Sequence, residues 1–398
     1  EPTVTSLLDA SAAQIQRDLA TQPELQRELL TLLGRIYERR GAARQALPLL
    51  VRAVDLGRKT LGPSVELAQS LHDLGVAQRE NGDLVAAQRT LEEALVMRER
   101  RLGPEAPEVA VTHSELGRTS FDRGDLASAE QCFRLALQIR RKVHGPRHHE
   151  TATSMSDLGL FLRSKGDRAG AEALFRETLE VTRAASGPQH PDVATALANL
   201  ALTINERGDH ATAETMLREA LAIGRAALGR DHPANARRLA NLAGALRLEG
   251  KLAEAAACHE EALAISRSAL GRDHPAVAQQ EIGLARVYLD QRRAREAEPL
   301  LLHALEIQER TYSPDDWVLG MCLSLLGEAS TRLGRYAEAD QRLHRALELL
   351  HVTQGSDGPE TREALANRSR LVALYQAWGK PEKAARFQTA SHETQKNP

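Results

Sequence analysis

The 398 residues carry 52 Lys and Arg against 54 Asp and Glu, a net charge of −2, and aromatic residues make up only 3%. Such a chain has neither the cationic surface nor the stacking rings of a nucleic-acid binder, and no apolar run approaches the roughly 18 residues needed to cross a bilayer. The 42% hydrophobic and 27% charged residues describe an ordered protein whose abundant Ala and Leu favour closely packed helices; strands want more β-branched and aromatic side chains.

In chain order, residues 1–22 read first as one amphipathic helix, with Val4, Leu7, Leu8, Ile15 and Leu19 on its apolar side, suited to cover the exposed end of the first helix pair. The start at Glu1 shows no signal-peptide pattern and reads as a mature or excised segment; the compartment stays open. From residue 23 a repeat takes over. One glycine series runs Gly41, Gly82, Gly124, Gly166, Gly208, Gly250 and, after a gap, Gly334 and Gly379; a second runs Gly62, Gly103, Gly145, Gly187, Gly229, Gly271. The period is near 42 residues, and two helices fit between successive marks. In the fifth period Val193, Leu197, Leu200, Ala201 and Ile204 form one stripe. Gly208 supplies a left-handed stop, Asp209 an N-cap, and Ala213, Leu217, Ala220, Leu221 and Leu228 the next stripe. First helices are predicted to start near residues 24, 64, 107, 149, 191, 233, 275, 315 and 359, giving nine pairs over 23–388. Residues 389–398 read as a flexible tail.

The octapeptide ALGRDHPA occurs at 227–234 and again at 269–276. Its Asp231–His232 and Asp273–His274 pairs invite a catalytic reading, but no Ser or Cys nucleophile recurs beside them. His148, His190, His232 and His274 share one column, yet successive rungs are a helix pair apart, on the order of 10 Å. They cannot converge on one metal at about 2 Å. The motif is therefore a joint: a glycine ends one helix, Pro233 or Pro275 opens the next, and the Asp is expected to accept the free N–H groups there. The cysteines, Cys132, Cys258 and Cys322, stand singly, and the first two share a column 126 residues apart; buried, inert thiols are expected. The ladder breaks once, where Arg292 replaces a glycine, Ser313-Pro314 replaces Gly-x and Asp316-Trp317 stands in place of His-Pro. Tyr312 and Trp317 form an aromatic anchor there, or the joint has simply repacked.

Leu33-Gly34-x-x-Tyr37, the pairs Leu74-Gly75, Leu116-Gly117 and Leu158-Gly159, and the second-helix alanines Ala87, Ala129, Ala171, Ala213 and Ala255 resemble the tetratricopeptide repeat. The long period and the stretch LGRDHPANARRLANLAGALRLEGKLAEAAACHEEALAI are similar to its kinesin-light-chain type. The resemblance implies an all-α fold, a right-handed superhelical solenoid of about nine tetratricopeptide helix pairs plus an N-terminal capping helix, covering 24–388. LLDASAAQIQRDLATQPELQRELLTLLGRIY at the start and LVALYQAWGKPEKAARF at 371–387 resemble the ends of repeat regions in bacterial serine/threonine kinases, where the repeats follow the kinase domain, often beyond a membrane helix. Kinase motifs and phosphate-binding loops are missing from these residues, so this segment is expected to be non-catalytic, without cofactor or metal.

The family's first helices line a concave, peptide-binding face. The residue before each Leu-Gly or Leu-Ala anchor reads Asp73, Glu115, Asp157, Asn199, Asn241, Gly283 and Leu325; two past the anchor Leu stand Arg35, Val76, Arg118, Leu160, Leu202, Gly244 and Arg286; three further on come Arg79, Arg163, Asn205 and Arg247. Asn199 and Asn241 match the family's habit of holding a peptide backbone with an amide, which donates and accepts; the acidic members depart from it. The residues expected to bind a partner are Asp73, Arg79, Glu115, Arg118, Asp157, Arg163, Asn199, Asn205, Asn241, Arg247 and Arg286. The competing reading is a solvated face of intramolecular ion pairs. The function expected is a scaffold or sensor module of a bacterial signalling protein, the repeat region of a serine/threonine kinase in the leading reading. A stand-alone adaptor or the sensor end of a nucleotide-binding ATPase are the alternatives, and self-association stays open.

Overall fold

The computed structural model describes residues 4–40, 42–352 and 361–388; Gly41 and the expected tail lie outside them. Among the described residues there are nineteen helices and no strand. The chain divides into two compact units, Glu1–Pro188 and Gln189–Pro398.

The N-terminal unit opens with α1 (Val4–Asp18), followed by four pairs: α2 (Pro23–Arg39) with α3 (Ala43–Thr60), α4 (Val65–Glu80) with α5 (Leu84–Leu102), α6 (Pro107–Asp122) with α7 (Leu126–His144), and α8 (His149–Lys165) with α9 (Arg168–Ser186). The C-terminal unit holds five: α10 (Pro191–Glu206) with α11 (His210–Leu228), α12 (Pro233–Leu248) with α13 (Leu252–Leu270), α14 (Pro275–Asp290) with α15 (Ala294–Thr311), α16 (Trp317–Arg332) with α17 (Tyr336–Val352), and α18 (Arg362–Ala377) with α19 (Pro381–Gln388). Within each unit every helix packs on its successor, and each first helix also meets the first helix of the following pair. The result is a layer of first helices backed by a layer of second helices.

The Leu-Gly pair has a steric cause. A Cβ on Gly117 would sit 2.9 Å from the ring of Phe133, and one on Gly75 would sit 2.6 Å from Leu91 Cγ. At these positions, and at Gly34, Gly159 and Gly327, the missing side chain lets the second helix press a large residue against the first. At the end of α10, Gly208 adopts φ +99 and Asp209 then caps α11 by accepting the Thr212 N–H at 3.2 Å, as expected. Asp83, Asp125 and Asp167 cap α5, α7 and α9 likewise. Arg292 takes the same left-handed turn without being glycine, φ 63, alone in this among the described residues.

α1 docks on α2 through Ala12, Leu8 and Ile15, and Gln26 donates to the Ile15 and Gln16 carbonyls. Leu7, assigned to the apolar stripe, is instead 53% exposed: the stripe that α2 can reach is narrower than the hydrophobic pattern.

The seam corrects the sequence reading. The histidine closes each helix, not the aspartate. Nδ1 of His148, His190 and His232 accepts the N–H two residues on at 3.2 Å, and Nδ1 of His274 does so at 3.1 Å. His232 has φ −69 and ψ 134 directly before Pro233, so it occupies the extended N-cap position, and Asp231 lies one residue too early. Asp231 makes no hydrogen bond or ion pair among the described residues, and Asp273 instead lies 3.5 Å from His303 Nε2. At the irregular joint Asp316 fills the histidine's place and caps Val318 at 2.9 Å. Trp317 beside it is 44% exposed, and no ring contact links it to Tyr312 among the described residues.

Cys322 is buried, whereas Cys132 and Cys258 are only half-buried. All three thiols have raised pKa values. Burial is the main cause, pushing Cys132 to about 11 and Cys322 to about 12, so inertness follows even where burial is incomplete.

Candidate functional site in the first-helix layer

In the N-terminal unit the candidate residues bind one another. Arg35 on α2 donates to Asp73 on α4 at 2.7 Å. Arg79 on α4 lies 3.6 Å from Glu115 and 3.2 Å from Asp122, both on α6. Arg118 on α6 holds Glu115 and, at 2.8 Å, Asp157 on α8. Each rung ties one first helix to the next, and the carboxylates are well covered, Asp73 6% and Glu115 9% exposed. Arg163, half-buried on α8, completes the set. Glu38 joins this acidic face: burial first, then the charges of Asp73 and Glu80, raise its pKa to about 8. Here the ion-pair reading describes the face better than an open receptor does.

In the C-terminal unit the same layer opens on a cleft of about 500 Å³. All five first helices contribute: Leu202 and Asn205 from α10, Asn241, Gly244 and Arg247 from α12, Gly283, Arg286 and Asp290 from α14, Met321, Leu325 and Glu328 from α16, and Arg370 from α18. His259 reaches in from α13. Two of the cations are satisfied, Arg247 by Asp290 at 2.8 Å and Arg370 by Glu328 at 2.7 Å. Arg370 also donates to Ser324, which is buried and bonded to Asn367. Arg286 differs: among the described residues no carboxylate comes within ion-pair distance, and its Nε is buried without a partner. Burial, then Arg247 and Arg370, pull its pKa down.

Of the expected binding residues, Asn205, Asn241, Arg247 and Arg286 come together here. Asn199 is half-buried on α10 but does not line the cleft. His259, Glu328 and Arg370 were missed. The signal for His259 was present, since the same column holds Leu50, Leu91, Phe133, Phe175, Leu217, Leu301 and Leu343.

The arrangement offers amides, guanidinium groups and an apolar floor to an extended ligand. Among the described residues there is no helix long and apolar enough to cross a membrane and no cluster suited to a metal ion.

Comparison with known proteins agrees with this architecture. A family model described as "Tetratricopeptide repeat" matches residues 25–100, 108–184, 156–226, 192–268 and 235–310, and a second of the same description matches 319–360. No curated protein matches the chain. Among solved structures, BtubC (BKLC) from P. vanneervenii is similar at 23% identity, over 57% of this chain and 92% of that one, with a TM-score of 0.50. A putative kinesin light chain of Podosopora anserina with nearly identical TPR-like repeats shares 24% identity over 52% of this chain and 97% of its own, at a TM-score of 0.45. A Rap protein complexed with Competence and Sporulation Factor shares 14% identity over 94% of this chain and 98% of its own, with a TM-score of 0.56.

Proposed function

The chain belongs to the tetratricopeptide repeat family, and on that premise we propose that it is a protein-interaction module whose ligand, an extended peptide segment, lies in the cleft of Gln189–Pro398. The observation that carries this is the convergence of five successive first helices on one cleft where polar groups stand ready. Asn241 suits a peptide backbone, because its amide both donates and accepts, and Asn205, whose Oδ1 is bonded to His210 Nδ1 at 2.7 Å, keeps its NH2 to donate. That a Rap protein of similar fold is complexed with Competence and Sporulation Factor supports the idea that such a fold can receive a partner. We assign Asp73, Arg79, Glu115, Arg118 and Asp157 to holding the N-terminal unit together. The parent protein, in our reading, is a bacterial signalling protein with a serine/threonine kinase domain preceding the repeats. This rests on the resemblance of the first and last helices, and kinase motifs in the gene upstream of Glu1 would test it.

The cleft is tested by random-peptide display against the folded protein, with anisotropy on the selected peptides. Asn205→Ala with Asn241→Ala should weaken binding about tenfold or more, from the loss of two or more hydrogen bonds at roughly 1 kcal/mol each, while thermal unfolding changes little. Equal binding by variant and wild type removes the cleft as the receptor.

A further inference from the structure

The first helices do not all begin alike. Three are capped by oxygen: Ser64 takes the Leu67 N–H of α4 at 3.1 Å, Asp316 the Val318 N–H of α16 at 2.9 Å, and Thr361 the Ala364 N–H of α18 at 3.1 Å. Between them, α8, α10, α12 and α14 are capped by His148, His190, His232 and His274, each through Nδ1. Oxygen side chains are the favoured caps, and Asp83, Asp125, Asp167 and Asp209 supply them to the second helices up to α11. Starting a helix therefore does not require an imidazole.

What sets an imidazole apart is its proton. Nδ1 accepts an N–H only while the ring is neutral with its hydrogen on Nε2. A second proton turns the acceptor into a donor and puts a positive charge at the helix start, where the dipole opposes it. His190, His232 and His274 are exposed and His148 is half-buried, so solvent reaches all four.

The charged and titratable groups facing them are few. The ring of His148 stacks on His144 of α7, with centroids 4.5 Å apart, and lies 4.4 Å from His149. Burial, then the charges of His149 and His144, hold the His148 pKa below the ordinary histidine range, against the pull of Glu150. Asp192 Oδ2 stands 3.3 Å from Nδ1 of His190 and can take up its added proton. Among the described residues no ion pair reaches His232 or His274, whose charged chain neighbours are Arg230, Asp231, Arg272 and Asp273.

The four starts differ in what remains once the cap is lost. Three residues after His148, buried Thr151 donates to the Gly145 carbonyl at 2.7 Å; three after His232, buried Asn235 donates to the Gly229 carbonyl at 2.8 Å. At α10 and α14 the same place holds Val193 and Val277, which have no side-chain donor.

We propose that the four histidines are an acid-labile latch: in neutral solution they close the first turns of α8, α10, α12 and α14, and mild acid releases these turns while the oxygen-capped helices stay closed, with α10 and α14 opening furthest. The neutral ring is the form that caps, so the contribution of the caps is whole above the ordinary histidine value of about 6.5 and is lost as pH falls below it. Hydrogen bonds from Ser128 and Thr212 hold Asp125 and Asp209 below the ordinary carboxylate range, so α7 and α11 keep their caps through the same interval.

The test is amide hydrogen exchange read residue by residue by NMR on the full chain at about pH 7.5 and about pH 5. Each rate is divided by the intrinsic rate at its pH, and the ring nitrogen shifts are recorded alongside. The rings should carry their hydrogen on Nε2 at the higher pH and be charged at the lower, His148 protonating last. Protection in the first turns of α8 and α12 should then fall about two- to fivefold, and further in α10 and α14. The first turns of α4, α16 and α18 should change by less than about 1.5-fold. His190→Asn with His274→Asn should keep α10 and α14 protected at the lower pH and leave α8 and α12 as in the wild type. If circular dichroism shows that variant misfolded, the contrast between histidine-capped and oxygen-capped helices in the wild type decides. Equal losses in both sets overturn the latch. So do rings of His190, His232 and His274 that are charged at the higher pH or neutral at the lower, and protection that protonation leaves unmoved.

Discussion

Replacing His232 by alanine removes the acceptor that holds the first turn of α12. Nδ1 of His232 takes the Ala234 N–H at 3.2 Å from an exposed position. Loss of an N-cap costs about 0.5–2 kcal/mol; the length of this bond and its exposure place His232→Ala at about 0.5–1 kcal/mol. Repeat arrays need not unfold as one body, so a global midpoint would dilute the effect. Amide exchange at Ala234, Asn235 and Ala236 reads it locally, and the expected acceleration is about two- to fivefold. His232→Asn should restore protection, as Asp316 already serves α16 through Val318. Asp231→Ala should change exchange by less than about twofold, since a side chain without a partner contributes little. If Asp231→Ala accelerated exchange more than His232→Ala, the assignment of the cap to the histidine would be wrong.

Gly117→Ala places a methyl against the Phe133 ring at 2.9 Å and should cost about 1–3 kcal/mol by overpacking, seen in urea unfolding; an unchanged midpoint would mean that the pair is loosely packed. Arg118→Gln leaves Asp157 without its cation and Glu115 with Arg79 alone, each carboxylate on a side chain 11% exposed. A loss of about 1–3 kcal/mol is expected, reduced by the partial exposure of Arg118 itself, whereas Arg286→Gln should leave stability equal or higher by the same assay. The buried histidines make stability acid-sensitive. Burial, reinforced by Arg98 and Arg35, lowers the pKa of His72 to about 3, and burial lowers that of His259 to about 4. The folded state thus binds fewer protons than the unfolded chain, whose histidines titrate near 6.5. This stability is whole above about 6.5 and is lost as pH falls through the folded values. Urea midpoints should fall between pH 6.5 and 4 while the His72 and His259 ring signals hold constant down to about pH 5; rings titrating near 6.5 would refute their burial.

The backbone was legible because its determinants are local. Gly208 and Asp209 announce a stop and a cap by their own chemistry, whereas Arg292, read as a break in the glycine ladder, keeps the left-handed turn of the place it fills. The seam was misread because Asp231 and His232 can both cap a helix, and a single residue of offset from Pro233 decides between them. The pairing of Asp73 and Asp157 was not legible because their partners, Arg35 and Arg118, stand 38 and 39 residues away, which no short window connects. Asn199 shares its column with Asn241 yet misses the cleft: a column gives the direction of a side chain and not where the layer opens. His259 was visible as an exception in an apolar series, but its reach to Gly283 needed coordinates.

The rungs of the N-terminal unit also bear on how the gene can change length. Each joins a residue only to the following first helix, so in-frame loss of residues 108–149, one period, would deliver Asp157 to the place of Glu115 beside Arg79. A copy can be lost or gained there and the pairing re-forms. The same event around the cleft is not neutral, because an excision of one period within 260–301 parts His259 from Gly283. Recombination between the two ALGRDHPA copies would remove a period that carries Asn241, Arg247 and His259, so selection must fix the repeat number there, while the N-terminal pairing can re-form after the loss of a period.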